Sequence, residues 1–237
     1  MKAKEFLSSQ NIEHESVNII GNPDGMALLQ SLGAKSVPVV SKGNKFVFAQ
    51  SIGDVAEFLG LDVDTSPTLS PAELVEKYDL ILETAARHIR QIPDDQLGGQ
   101  ILDRERSYRE LTYHIFRITE ALVDCANGEE LTFSYYQDTP PADMQSFEQI
   151  ANFGDGVRSR FKDWWATYPK KEGDALVNTY FGEKPLHEVL ERSTWHSGQH
   201  GRQLVMAMEK FMSITPDRPL TAEDYKGLPL PDKVWDE

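Results

Sequence analysis

The chain has 237 residues, 40% of them hydrophobic and 10% aromatic, enough apolar material to bury a core in one large domain or two small ones. A formal net charge of −14 sets its surface against the phosphates of nucleic acids and of anionic membranes, so neither is an expected partner. One cysteine, Cys125, excludes an internal disulfide, and no run approaches the roughly 20 apolar residues that a membrane span needs. The opening stretch MKAKEFLSSQNIEHE lacks the apolar run of a signal peptide, and a cytoplasmic location is the expectation.

Residues 1 to about 60 alternate short helical and strand signals. AKEFLSSQ predicts a helix, and HESVNI alternates as a strand. NPDGMALLQSLG opens with Asn-Pro and stops near Gly33, as a helix should. SVPVV and KFVFAQ read as strands joined by the turn SKGN. SIGDVAEFLG predicts a last helix, with Ser51 as its cap and Gly60 as its stop. The segment LDVDTSPTLSP, rich in Pro, Ser, Thr and Asp, has the composition of a linker. The organisation expected is therefore a first domain over 1–61, a linker over 62–70, a helical domain over 71–213 and an irregular tail over 214–237, either a strap or a loose end.

The helical domain shows four long periods and no convincing strand. The first runs from about 70 to 91, with Ser70, Pro71 and Glu73 as a start signature and Leu74, Tyr78, Ile81, Ala85 and Ile89 as its stripe. The second, about 107 to 126, carries Leu111, Ile115, Ile118, Leu122 and Cys125 on one face. The third, about 144 to 168, carries Phe147, Ile150, Val157, Phe161, Trp164 and Trp165. The fourth, about 184 to 212, places Val189, Leu204, Ala207 and Phe211 inward. Four such helices predict an up-down four-helix bundle, with the loop DTPPAD beside a place where a site can open.

His196 and His200 are four residues apart and share a helical face with Val189 and Leu204. His114 lies between Leu111 and Ile118 on the inner stripe of the second helix. Three inward imidazoles admit two readings: hydrogen-bonded core residues, or a three-nitrogen face for a divalent metal that keeps a coordination position open. His88 is near the inner stripe of the first helix, and His187 sits in the first turn of the fourth. Cys125 reads as a small core hydrophobe.

RSYRELTYHIFRITEAL at 106–122 and LHEVLERSTWHSGQHGRQL at 186–204 resemble the DinB/YfiT-like superfamily, four-helix bundles with one His on the second helix and H-x-x-x-H on the last. The resemblance covers residues 68–212. It implies that His114, His196 and His200 are ligands of one divalent metal, Zn first, with Ni, Mn or Fe also open. Members of that superfamily perform metal-dependent thiol chemistry, among them bacillithiol transferases and a mycothiol-dependent maleylpyruvate isomerase. Here HGRQ departs from the arginine that the family commonly has directly after its second histidine, which leaves the role of Arg202 open. Arg202 and Tyr113 are candidates for anion or substrate contacts.

The first domain resembles a glutaredoxin, a thioredoxin fold, over residues 1 to about 61. Val37-Pro38 matches the cis-proline position beside the cysteine of glutathione, and Asp54 matches an acidic position that meets its γ-glutamyl end. The other reading of these residues is a strand-edge proline and an ordinary helix-start acid. The chain lacks the first strand and the Cys-x-x-Cys of that family, so dithiol redox catalysis is excluded by composition. The missing strand motivates the expectation that Met1 is internal to a longer protein. Together the two resemblances imply a metal- and glutathione-dependent transferase or isomerase acting on a small electrophile. A metal-dependent hydrolase, and a non-enzymatic stress-related metal-binding or dimerisation protein, are the alternatives. A homodimer is among the assemblies left open.

Overall fold

The computed structural model describes residues 2–101 and 106–235. Met1, on which the expectation of an upstream start falls, and the last two residues of the predicted tail lie outside them. The chain divides into two compact units, Met1–Ser66 and Pro67–Glu237. No helix of the described residues is long and apolar enough to cross a membrane.

The first unit holds α1 (Lys2–Ser9), α2 (Pro23–Ser31), a hairpin of β1 (Val39–Lys42) and β2 (Lys45–Phe48), and α3 (Ile52–Leu59). Asn22 caps α2 by accepting from the Gly25 amide at 3.0 Å, and Ser51 caps α3 by accepting from the Asp54 amide at 3.2 Å. Gly60 closes α3 in the left-handed conformation that glycine alone adopts freely. The hairpin pairs Val39 with Phe48 and Lys42 with Lys45, and the Val37–Pro38 bond before it is cis. The strand predicted over HESVNI is not formed. Residues 12–19 have no regular structure and pair with no strand among the described residues. Alternation makes a strand only where one face is buried and a ladder receives its backbone groups; Val17 is exposed instead. The core of this unit is small: Leu7, Leu29, Ala34, Val55 and Ala56 are its buried apolar side chains.

The second unit is a bundle of α4 (Pro71–Ile89), α5 (Tyr108–Ala126), α6 (Phe147–Thr167) and α7 (Leu186–Lys210). Ser70 and Glu73 form a reciprocal capping box on α4, Ser107 and Glu110 another on α5. The predicted stripes of α4 and α5 are buried throughout, as are Val189, Leu204 and Ala207 of α7. Phe211 is not: α7 ends at Lys210, so the helical period stops before it and its ring is exposed.

Helix order also differs from a simple up-down bundle. α4 and α5 each pack against both α6 and α7 and touch one another little, so these two helices, consecutive in sequence, stand on a diagonal. The links between helices are long enough to allow this. Gly154 of α6 lies directly against α5: a Cβ there would lie 2.3 Å from the ring of Phe116, which is fully buried.

A second correction concerns strands. The link from α6 to α7 contains a hairpin of β3 (Leu176–Thr179) and β4 (Gly182–Pro185), with Leu176 opposite Pro185 and Thr179 opposite Gly182. Each strand has four residues, too few for alternation to register against background. Residues 184–185, predicted to begin the last helix, are the end of its second strand. Leu131, in the link after α5, donates its amide to the Asn178 carbonyl (2.9 Å) and accepts from the Tyr180 amide (2.8 Å). This clasp holds the short 3₁₀ turn Phe133–Tyr136 beside the bundle. The tail after Phe211 has no helix or strand among the described residues, and it is hydrogen-bonded to α4 and α7 along its length.

Candidate metal centre

His114 on α5 and His196 and His200 on α7 converge within the bundle. Ring centroids are 5.6 Å apart for His114 and His196, 5.0 Å for His114 and His200, and 4.8 Å for His196 and His200. One nitrogen from each lies within 4.8 Å of the others. A chain of hydroxyls fixes the helices that carry them. Thr119 donates to the Tyr78 hydroxyl (2.8 Å), Tyr78 lies 3.0 Å from the Ser197 hydroxyl, and Ser197 donates to the Ile115 carbonyl (3.0 Å). Ile115 follows His114 and Ser197 follows His196, so the network sets the two histidine-bearing turns at one level. All its side chains are buried, where a missing partner is expensive.

The imidazoles are held neutral. Burial lowers the pKa of His114 and His196 well below the usual value, and neighbouring cationic groups, Arg192 among them, act in the same direction. Burial, with Arg106, brings His200 down to about 4, against a raising hydrogen bond from Gln203. That hydrogen bond also settles a tautomer. The Gln203 carbonyl accepts from Nδ1–H of His200 at 2.8 Å, which leaves a lone pair on Nε2. Nε2 of His200 and Nδ1 of His114 and His196 are covered atoms with no hydrogen-bond partner among the described residues, although the rings of His196 and His200 keep some accessible surface. Unpartnered buried nitrogens on three neutral rings are uncommon for core histidines, and they fit a divalent cation held by nitrogen donors.

One wall of the site comes from the clasped turn. The Tyr136 ring stacks on His196 at 5.6 Å with an interplanar angle of 10°. Arg192, one helical turn before His196 and itself buried, donates to the Tyr136 hydroxyl at 2.5 Å and to the Tyr180 hydroxyl at 3.4 Å. Its guanidinium also lies over the Tyr136 ring at 4.8 Å. Burial pushes the Tyr180 phenol up to about 12. Arg192, His196 and His200 thus form an i, i+4, i+8 row along α7.

The other predicted site residues are placed as follows. Tyr113 is buried and stacks on Phe153 at 5.0 Å. Arg202 directs its donors to the Gln199 side chain and to the Pro231 and Asp232 carbonyls of the tail, so the strap takes up the group proposed for an anion. Val37 is exposed, with its carbonyl accepting from Gln50 at 3.4 Å, and Asp54 is half-buried in the first turn of α3, in the other unit. His88 lies 2.9 Å from the Asp217 carbonyl, and His187 lies 2.7 Å from the Leu69 carbonyl. Cys125 is buried, its thiol pushed up to about 11. Sequence reasoning missed Tyr136, Arg192 and Gln203. The spacing of Arg192 and Gln203 from the histidines was visible, whereas Tyr136 comes from a link tied down by the nonlocal clasp.

A four-helix bundle with three inward histidines defines a helical protein whose histidine cluster could hold a metal ion. The chain belongs to the DinB superfamily, whose pattern matches residues 77–204, more than half of its length and a span that includes all three histidines. That superfamily is typically metal-binding. No curated protein matches the chain at a significant level.

Proposed function

We propose that the chain is a metal-dependent enzyme that uses a small thiol, glutathione or a similar one, in transfer to a small electrophile or in a thiol-dependent isomerisation. The observation that carries the reading is the convergence of three neutral imidazole nitrogens, two of them on one helix, beside a fixed aromatic wall. His114, His196 and His200 would hold the ion. Zn is the first expectation for three nitrogen donors, with Ni, Mn and Fe open. When bound, such an ion lowers the pKa of a thiol so that thiolate is present at neutral pH.

The protein's own groups orient and exclude. Gln203 holds the His200 tautomer, Tyr136 fixes the plane of His196, and Arg192 holds Tyr136 and offers positive charge next to the site. In the same proposal the first unit is a glutaredoxin-like module, with Val37, Pro38 and Asp54 as its glutathione contacts. Cys125 takes no part, because its buried thiol is kept protonated.

The test is metal content followed by thiol consumption. Purified protein reconstituted separately with Zn, Ni, Mn and Fe should retain about one equivalent of at least one of them, and His196→Ala should retain none. Glutathione consumption with a panel of electrophiles should require the retained metal. Activity that survives in metal-free His196→Ala overturns the proposal. Tight metal with hydrolysis of esters or amides and no thiol consumption replaces it with a hydrolase. Tight metal with neither activity replaces it with a structural metal protein.

A further inference from the structure

Four consecutive carbonyls of the tail are read by three side chains of α7. Arg202 donates to Pro231 O at 2.7 Å and to Asp232 O at 3.1 Å. Gln199 donates to Lys233 O at 3.2 Å and to Val234 O at 2.7 Å. Gln203 donates to Val234 O at 3.3 Å, and its other end accepts from His200 Nδ1–H at 2.8 Å. A side-chain amide has a donor end and an acceptor end, so fixing one fixes the other. With its NH₂ on the Val234 carbonyl, Gln203 must present oxygen to His200. The reverse orientation would set oxygen against oxygen at Val234 and offer N–H to the ring, selecting the tautomer whose proton sits on Nε2.

We infer that the strap Pro231–Val234 is a working part of the histidine cluster: through Gln203 it selects the His200 tautomer that can accept an ion, and ion binding and strap docking stabilise each other. Gln203 is a positioning residue, and the Val234 carbonyl is the group that positions it. Reciprocity follows from linkage. If docking raises ion affinity by some factor, the ion raises docking by the same factor. The inference rests on the proposal that the three histidines hold a metal.

The expected size is that of outer contacts to metal-ligating histidines, a loss of about 10–100-fold in affinity on removal. Zn²⁺ affinity is to be measured by chelator competition in the full chain, in a chain ending at Leu230, in Gln203→Ala and in the combination. Truncation and Gln203→Ala should each weaken Zn²⁺ within that range, and the combination should be no weaker than either alone. Gln203→Glu offers an acceptor that needs no strap to orient it, so it should keep affinity near that of the full chain and make truncation nearly silent. On the full chain, Zn²⁺ should slow tryptic cleavage after Lys226 and Lys233, and it should not do so in Gln203→Ala.

A truncated chain that keeps its helical circular dichroism and binds Zn²⁺ as tightly as the full chain overturns the inference. Cleavage rates indifferent to Zn²⁺ in a full chain that binds it overturn it too, and this second readout decides if the truncated chain does not fold. A full chain that binds neither Zn²⁺ nor the other three ions instead overturns the metal proposal, a separate failure.

Discussion

Acid should weaken the metal-free protein through its buried histidines, and His200 supplies the magnitude. Its pKa falls from 6.5 to about 4 on folding, because burial disfavours the imidazolium. A histidine whose folded pKa is depressed binds fewer protons folded than unfolded over that interval. Its contribution is therefore complete above pH 6.5 and is lost as pH falls towards 4. Between pH 7.5 and 5 this amounts to about 2 kcal/mol from His200 alone, out of about 3 kcal/mol for the whole shift. His88, His114 and His196 are shifted in the same direction and steepen the loss. The assay is urea unfolding in chelator at half-unit steps from pH 7.5 to 5, above the range where most carboxylates titrate, for the native sequence and for His200→Asn. The native chain should lose at least about 2 kcal/mol across the range, and the variant should lose about 2 kcal/mol less. A stability that stays flat, or an unchanged slope in His200→Asn, refutes the account of a neutral buried ring.

Two further predictions concern the scaffold. Ser197→Ala removes the acceptor of the Tyr78 hydroxyl proton in a fully buried network, and it should cost about 1–3 kcal/mol in urea unfolding. Tyr78→Phe and the double variant close a cycle whose coupling should exceed about 0.5 kcal/mol. Gly154→Ala should gain about 1 kcal/mol of helix propensity and lose more, because the new methyl meets the Phe116 ring at 2.3 Å where overpacking costs about 1–3 kcal/mol. A thermal midpoint above that of the native chain would show that α5 and α6 separate there without penalty.

The bundle was legible because its signals are long. Stripes of five residues over about four turns, as in Leu74 to Ile89, leave little freedom about which face is inward. The same periodicity placed His114 with Leu111 and Ile118, and His196 with His200, on faces that the structure brings together. What escaped is short or nonlocal. The β3–β4 hairpin has four residues per strand, and HESVNI carries a strand pattern that pairs with no strand among the described residues. Tyr136 reaches His196 from a link that Leu131, five residues earlier, ties to Asn178 and Tyr180, a pairing no local pattern encodes. The diagonal placement of α4 and α5 belongs to the same class, since long links release helices from packing in sequence order.

The clasp at Leu131 also divides the link after α5 into two separately anchored parts. Its two backbone hydrogen bonds fix the chain just ahead of Tyr136, so the wall against His196 is set from the upstream side. The stretch that follows, 137–146, carries Pro140 and Pro141 and returns to the bundle at the Ser146 cap. That stretch has its own anchors: Arg109 of α5 donates to the Pro140, Pro141 and Met144 carbonyls, and Arg117 to the Asp138 carboxylate. The wall on His196 and the stretch beyond it are thus held by different bonds within one link, the first by backbone bonds to the β3–β4 hairpin and the second by two arginines of α5.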